Sequence, residues 1–364
     1  MSAMAKAHEA INLGQGFPNF DCDIALQKLL ARYTAAGNNQ YAPMPGIPEL
    51  RKAIADKCSM LYQKALDCDE EITITAGATQ ALFVAIASMI STGDEVIVFE
   101  PAYDSYRPVI KHCGGKVVPY ELKAPDYKVN WNEVQELVSE KTRLIIITNP
   151  HNPCGKVLSD NDLLQLQNMV ENTDINILSD EVYEHLVFDG KSHSSILKYD
   201  KLYQRCMACY SFGKTFHITG WKVGYCIAPP ALTRRFRSLH QWNVFSVNSV
   251  AQYALAEYMK EASHYMKLAG FYQSKRDYFA EAMKTTGFKP LACEGSYFQL
   301  YDYSEVSTLD DVAFAEFLVE AYGVATIPVS VFYSSGRQDK VVRFCFAKTN
   351  ETLSQAADRL SRLK

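Results

Sequence analysis

The chain has 364 residues with 48% hydrophobic and 21% charged, which suits a two-domain or large α/β globular protein rather than a fibrous or disordered one. A formal net charge of −4 gives no electrostatic reason to expect nucleic acid or an anionic membrane surface as a partner. The longest helix-like apolar run, ALFVAIASMI at 81–90, is about half what a membrane span needs.

In chain order, the first 25 or so residues contain GQGFPNFD, too short and loop-like to fold alone, and are expected at a domain junction. The opening MSAMAKAHEA has no apolar h-region, and ten scattered cysteines show no paired zinc or disulfide spacing, so reduced structural thiols in the cytoplasm and no metal are expected. From about 70 to 230, short β-branched runs alternate with helical patterns. The strand candidates are EITIT (71–75), DEVIVFE (94–100), GKVVPYEL (115–122), TRLIIITN (142–149), INILSDEV (175–182) and CMACYSF (206–212), with a helix such as DLLQLQNMVEN (162–172) between them. Runs as apolar as LIIIT are buried on both faces, so a mostly parallel sheet covered by helices is predicted. Cys206 and Cys209, three apart in such a strand, would face opposite sides. After 248 the pattern becomes one long amphipathic helical stretch, roughly 249–286. Strands at SYFQLYDY (296–303) and KVVRFCFAK (340–348) come next, predicting a smaller α+β domain. The expected division is 26–265 for the large domain, and 1–25 with 266–364 for the small one, joined by a long helix.

In an open α/β sheet ligands bind beyond the carboxyl ends of the strands. The residues just past the strand ends form one set: Ala76-Gly77-Ala78-Thr79 opening a helix, Tyr103, the Asn149–Pro153 turn with Asn152, Asp180 and Tyr183, and Lys214. Singly each has a plain reading: a glycine turn, a helix cap, a core aromatic. Together they are an anion seat, an aromatic face, an amide, a carboxylate, a phenol and a lysine. Pyridoxal 5'-phosphate calls for that set, because it needs a lysine for its aldehyde, a carboxylate for its ring nitrogen and a phosphate cradle. Ala76-Gly77-Ala78 lacks the G-x-G-x-x-G fingerprint, which argues against a nicotinamide-dependent oxidoreductase.

The segments SFGKTFHITGWKVGY, NPHNPCGKV, SDEVYEHL, QYAPMPGIPELR and VVRFCFAK resemble the class I/II aminotransferases of fold type I, in family order over nearly the whole chain. Within that family the chain is similar to the bacterial methionine aminotransferases and the kynurenine/glutamine transaminases. Such proteins usually carry a longer arm before the segment matching AINLGQGFP. The resemblance implies that Lys214 binds the cofactor aldehyde as a Schiff base and moves the substrate proton, while Asp180 faces the pyridinium. Tyr183 and Asn152 would hydrogen-bond the ring oxygen, and Tyr103 would stack on the ring. Gly77, Ala78, Thr79, Ser211 and Lys222 would hold the phosphate. Arg343 would clamp the substrate α-carboxylate, with the Gly16 backbone close by. Tyr41 would reach the cofactor phosphate of a partner subunit, implying a homodimer with shared active sites.

The implied activity is ping-pong transamination of a neutral or aromatic amino acid, with methionine first and glutamine, phenylalanine, tyrosine or kynurenine possible, onto a 2-oxo acid. QWNVFSVNS (241–249) and Tyr41-Ala42 are the expected side-chain pocket. The alternatives are a C–S β-lyase using the same cofactor, and a non-catalytic cofactor-binding regulator.

Overall fold

The computed structural model describes residues 1–363. Its centre is a seven-stranded sheet whose strands lie in the spatial order Ile72–Thr75, Gly224–Ile227, Cys206–Ser211, Asn176–Asp180, Thr142–Thr148, Glu95–Glu100 and Lys116–Glu121. The five strands from Cys206–Ser211 to Lys116–Glu121 pair in parallel, and Gly224–Ile227 runs antiparallel to both of its neighbours. The β-branched runs seen in the sequence are these strands. Alternate residues serve opposite faces: Ile145, Ile147 and Ile177 enter one core, and Leu144, Ile146 and Leu178 enter the other. Cys206 and Cys209 divide between the same two cores.

Two elements differ from the sequence reading. Gly224–Ile227 was not anticipated, because a four-residue run opening on glycine looks like the tail of a turn. Being antiparallel, it enters the sheet at the edge where its parallel neighbours leave, and it brings Lys222 and Val223 there. The stretch 249–286 is three helices, Ser249–Tyr258, Ser263–Met266 and Leu268–Met283, rather than one. The first packs on helices Ile24–Ala35 and Pro48–Tyr62, and the last on Asn350–Leu360. Different partners require different directions, so the chain turns between them.

A four-stranded antiparallel sheet, in the order Ile327–Pro328, Val341–Cys345, Phe298–Asp302, Lys289–Pro290, forms the second layer system. The N-terminal segment joins this part: Ile11–Asn12 pairs in parallel with Val324–Ala325, and the Cys345 N–H donates to the Leu13 carbonyl at 2.7 Å. No helix among the described residues is long and apolar enough to cross a membrane, and no group of three or more His, Cys, Asp or Glu among them is arranged to hold a metal.

Candidate active site

Between the two sheets lies a cavity of about 480 Å³ at the carboxyl edge of the large sheet. Gly16, Gly77, Ala78, Thr79, Tyr103, Asn152, Asp180, Tyr183, Ser211, Lys214, Lys222 and Arg343 all line it. The topology accounts for the gathering. Asp180 ends one strand, Ser211 ends the next, and Lys214 sits in the helical turn Phe212–Thr215 directly after it.

Asp180 is buried, 4% exposed, and accepts hydrogen bonds from the Tyr106 hydroxyl at 2.5 Å and the Val182 N–H at 3.3 Å. The Tyr106 hydroxyl also meets Thr148 Oγ1 at 3.0 Å, which fixes its orientation. Burial pushes the Asp180 carboxyl up to about 6 from 3.8, against the pull of these donors and of Lys214. A buried carboxylate held so far above its ordinary value is a seat for a cation that the chain itself does not place against it. Two further buried acids pin the segment that carries Asp180 and Tyr183. Glu181 contacts His193 Nε2 at 2.9 Å and accepts from Tyr210 at 3.0 Å, while Glu184 accepts from Lys57, Tyr62 and Tyr225.

Lys214 Nζ donates to the Gly16 carbonyl at 2.9 Å and to the Tyr297 hydroxyl at 2.8 Å. Burial lowers its pKa to about 8, and the nearby Arg343 and Lys222 charges act in the same direction. Tyr183 is also buried, and burial holds its phenol well above the usual range.

Helix Ala78–Met89 begins after Gly77, whose φ of 80° suits glycine, and no side chain caps it. Its first N–H groups are therefore free for an anion, and Lys222 Nζ lies 3.3 Å from where a Cβ on Gly77 would sit. Lys222 reaches this position from a left-handed conformation with φ 55°. Thr79 Oγ1 lies 3.2 Å from the Tyr103 hydroxyl and links the anion seat to the aromatic face.

Arg343 comes from the small sheet and is 7% exposed. Its Nη1 donates to Asn152 Oδ1 at 2.9 Å and its Nη2 to the Gly14 carbonyl at 3.1 Å, while Nε is buried without a partner. The guanidinium lies 3.9 Å from the Phe298 ring centroid. Asn152 thus gives its oxygen to Arg343, and the Gly16 carbonyl serves Lys214, contacts that the sequence did not indicate. Tyr106, Thr148 and Tyr297 were also missed. Tyr106 lies three past Tyr103 at a helix start and Thr148 directly precedes Asn149, so both had a positional signal, whereas Tyr297 had none.

Tyr41 does not join the cavity within one chain. It is 82% exposed and meets Phe245 edge-on at 5.4 Å, and Trp242 is equally exposed. Residues 241–249 and Ala42 likewise stay outside the cavity lining of one chain. The apolar wall within one chain is Ile327, Val331, Phe332 and Phe298.

The donor set fits pyridoxal phosphate on this structure's own terms: an uncompensated buried carboxylate, a lysine of lowered pKa and an uncapped helix start with a lysine beside it. Fold and site together define a pyridoxal-phosphate-dependent transferase of fold type I. The family model for aminotransferase class I and II matches residues 8–360, and the chain belongs to that family as a pyridoxal-phosphate-dependent aminotransferase. The chain is similar to the methionine aminotransferase of Escherichia coli strain K12, with 49% identity covering 100% of this chain and 94% of that protein. It is 35% identical to the kynurenine–oxoglutarate transaminase of Dictyostelium discoideum, over 100% of this chain and 93% of the relative. A crystal structure of an Escherichia coli protein with a methionine aminotransferase function superposes with a TM-score of 0.98 at 48% identity, covering 100% of this chain and 96% of that one.

Proposed function

We propose that the protein moves the α-amino group of a neutral or aromatic amino acid, methionine before others, to a 2-oxo acid in two half-reactions. The observation that carries this reading is the convergence of Lys214, Asp180 and the Arg343–Asn152 pair on one cavity. When bound, the cofactor supplies a sink for the electron pair left on the substrate Cα. Asp180 holds the ring nitrogen in its charged form, and Tyr183 and Asn152 orient the ring oxygen. Tyr103 covers a ring face, while Ser211, Lys222 and the N–H groups of Ala78 and Thr79 hold the phosphate; the Gly77 N–H, expected to join them, is engaged by the Thr75 carbonyl at 2.8 Å. Lys214 moves the proton, with a pKa of about 8 that lets it act near neutral pH.

Methionine is favoured by the similarity to the Escherichia coli enzyme and by the apolar wall of Ile327, Val331 and Phe332. Asp104 at the cavity rim disfavours a second carboxylate on the substrate. The test is a panel of amino donors against several 2-oxo acids. Methionine and aromatic donors should exceed aspartate, and an aspartate preference would overturn the substrate class.

Arg343→Lys is expected to raise KM for every amino acid by a similar factor, roughly 10-fold or more, because a lysine cannot reproduce the fork on a carboxylate common to all of them. A rise confined to some substrates would show that Arg343 recognises side chains instead.

We also propose a homodimer in the cytoplasm, with the chain dividing at 26–265 against 1–25 with 266–364. Ten free cysteines suit a reducing compartment, and the exposed Tyr41, Trp242 and Phe245 suit a covered face. In that dimer Tyr41 reaches the partner's cofactor phosphate. A hydrogen bond to a charged group is worth about 1.5–3 kcal/mol, so Tyr41→Phe should weaken cofactor binding by roughly 10- to 100-fold. Lys214→Ala and Tyr41→Phe chains, dissociated and reassembled together, should then regain activity at limiting cofactor, because each mixed dimer has one intact site. Activity at the parental sum despite proven chain exchange would assign Tyr41 to its own subunit.

A further inference from the structure

We infer that Tyr297 is a positioning residue for the amine of Lys214, its phenol and the Gly16 carbonyl together fixing which N–H of that amine faces the cavity. This rests on the reading of Lys214 as the proton carrier. Lys214 Nζ donates to both the Gly16 carbonyl, at 2.9 Å, and the Tyr297 oxygen, at 2.8 Å. The phenol donates its single hydrogen to the same Gly16 carbonyl, closing a triangle. Tyr297 can therefore only accept from the lysine.

Counting donors gives the consequence. A protonated amine has three N–H groups, of which two are engaged here and one remains. The neutral amine has two N–H groups and a lone pair. Both acceptors stay filled, and the lone pair occupies the place of the third N–H. Lys214 lines the cavity, so that remaining position is the one open to substrate. When the substrate Cα–H bond breaks, its electrons stay on the substrate side and its proton becomes the third N–H. It is later given back from the same position. The amine need not rotate or break a hydrogen bond in either protonation state.

The seat is rigid. Tyr297 is 0% exposed and is held between the rings of Tyr183 and Phe298, at 5.1 and 5.0 Å, and that of Tyr272 at 5.8 Å. Gly16 has to be glycine for its carbonyl to come this close, since a Cβ there would lie 2.7 Å from Phe298 Cζ. The other titratable or charged groups acting on Lys214 are Asp180, Arg343, Lys222 and Cys345, and none of them is an acceptor bonded to its Nζ.

The test is Tyr297→Phe, which keeps the ring and removes the acceptor. In the full-length chain freed of cofactor, cyanate labelling of Lys214 across pH, read by mass spectrometry, gives the titration midpoint of the amine. The midpoint should fall by about 0.5–1 in pH, because an acceptor that favours the ammonium is gone. In the cofactor-loaded enzyme kcat should fall roughly 10-fold, with KM for methionine held within about 2-fold. Tyr272→Phe, which removes a neighbouring buried hydroxyl without a partner, should leave the midpoint unmoved. An unchanged midpoint in Tyr297→Phe, or an equal shift in Tyr272→Phe, overturns the inference. Should Tyr297→Phe fail to fold, 4-fluorophenylalanine at 297, which keeps the ring and nearly the same volume but has no titratable group and only a feeble acceptor, must still lower the midpoint, and an unmoved value overturns it too. The labelling midpoint is independent of catalysis, so a Lys214→Ala enzyme that remained active would overturn the proton-carrier reading without affecting it.

Discussion

Lys214→Ala is expected to reduce transamination by at least about 10³-fold, the scale of losing a nucleophile and a general base at once. No neighbour can replace the amine. Lys222 is committed to the helix start at Gly77, and Arg343 keeps its proton at any working pH. The phosphate seat and Asp180 remain, so the variant should still retain cofactor on gel filtration while losing turnover. An active Lys214→Ala enzyme would remove the proposed chemistry from this cavity altogether.

Asp180→Asn is expected to lower kcat by at least about 10²-fold, because the amide keeps the shape of the carboxylate and loses the charge that faces the ring nitrogen. A near-wild-type rate would reduce Asp180 to a strand-end cap. The same variant has a signature in the cofactor-free protein. Asp180 titrates at about 6 when folded, above the 3.8 of a free aspartate. Its contribution to stability is therefore fully present below 3.8 and lost as pH rises through about 6. The gap is worth ~3 kcal/mol. Cofactor-free Asp180→Asn should accordingly gain on wild type by about that amount between pH 4 and pH 8, read by denaturant unfolding. No pH-dependent difference would mean that Asp180 is not held in a charge-poor burial.

Much of this site was visible in the sequence because of one topological rule. Parallel strands all end at one edge, so the residues after EITIT, RLIIIT, INILS and MACYS had to meet, and Thr79, Asn152, Asp180 and Lys214 do. Lys222 required more. It lies two residues before the unforeseen antiparallel strand Gly224–Ile227, so only resemblance placed it beside Gly77. Periodicity failed at 249–286, since it reports that a face is apolar but not which neighbour covers it. Tyr297 was illegible for a related reason: its partners are Lys214, 83 residues away, and Gly16, 281 residues away. Tyr41 and Phe245 are exposed and meet edge-on outside the cavity of one chain, so the side-chain pocket expected around 41 and 241–249 requires a subunit interface that sequence alone does not display.

The most direct test of the central claim tracks the nitrogen. Purified protein with pyridoxal phosphate, ¹⁵N-labelled L-methionine and a 2-oxo acid should place the label in the new amino acid, with one equivalent of 4-methylthio-2-oxobutanoate formed for each amino group transferred. Label released as ammonium, with methanethiol and 2-oxobutanoate in place of an amino acid product, would show elimination rather than transfer and contradict the account.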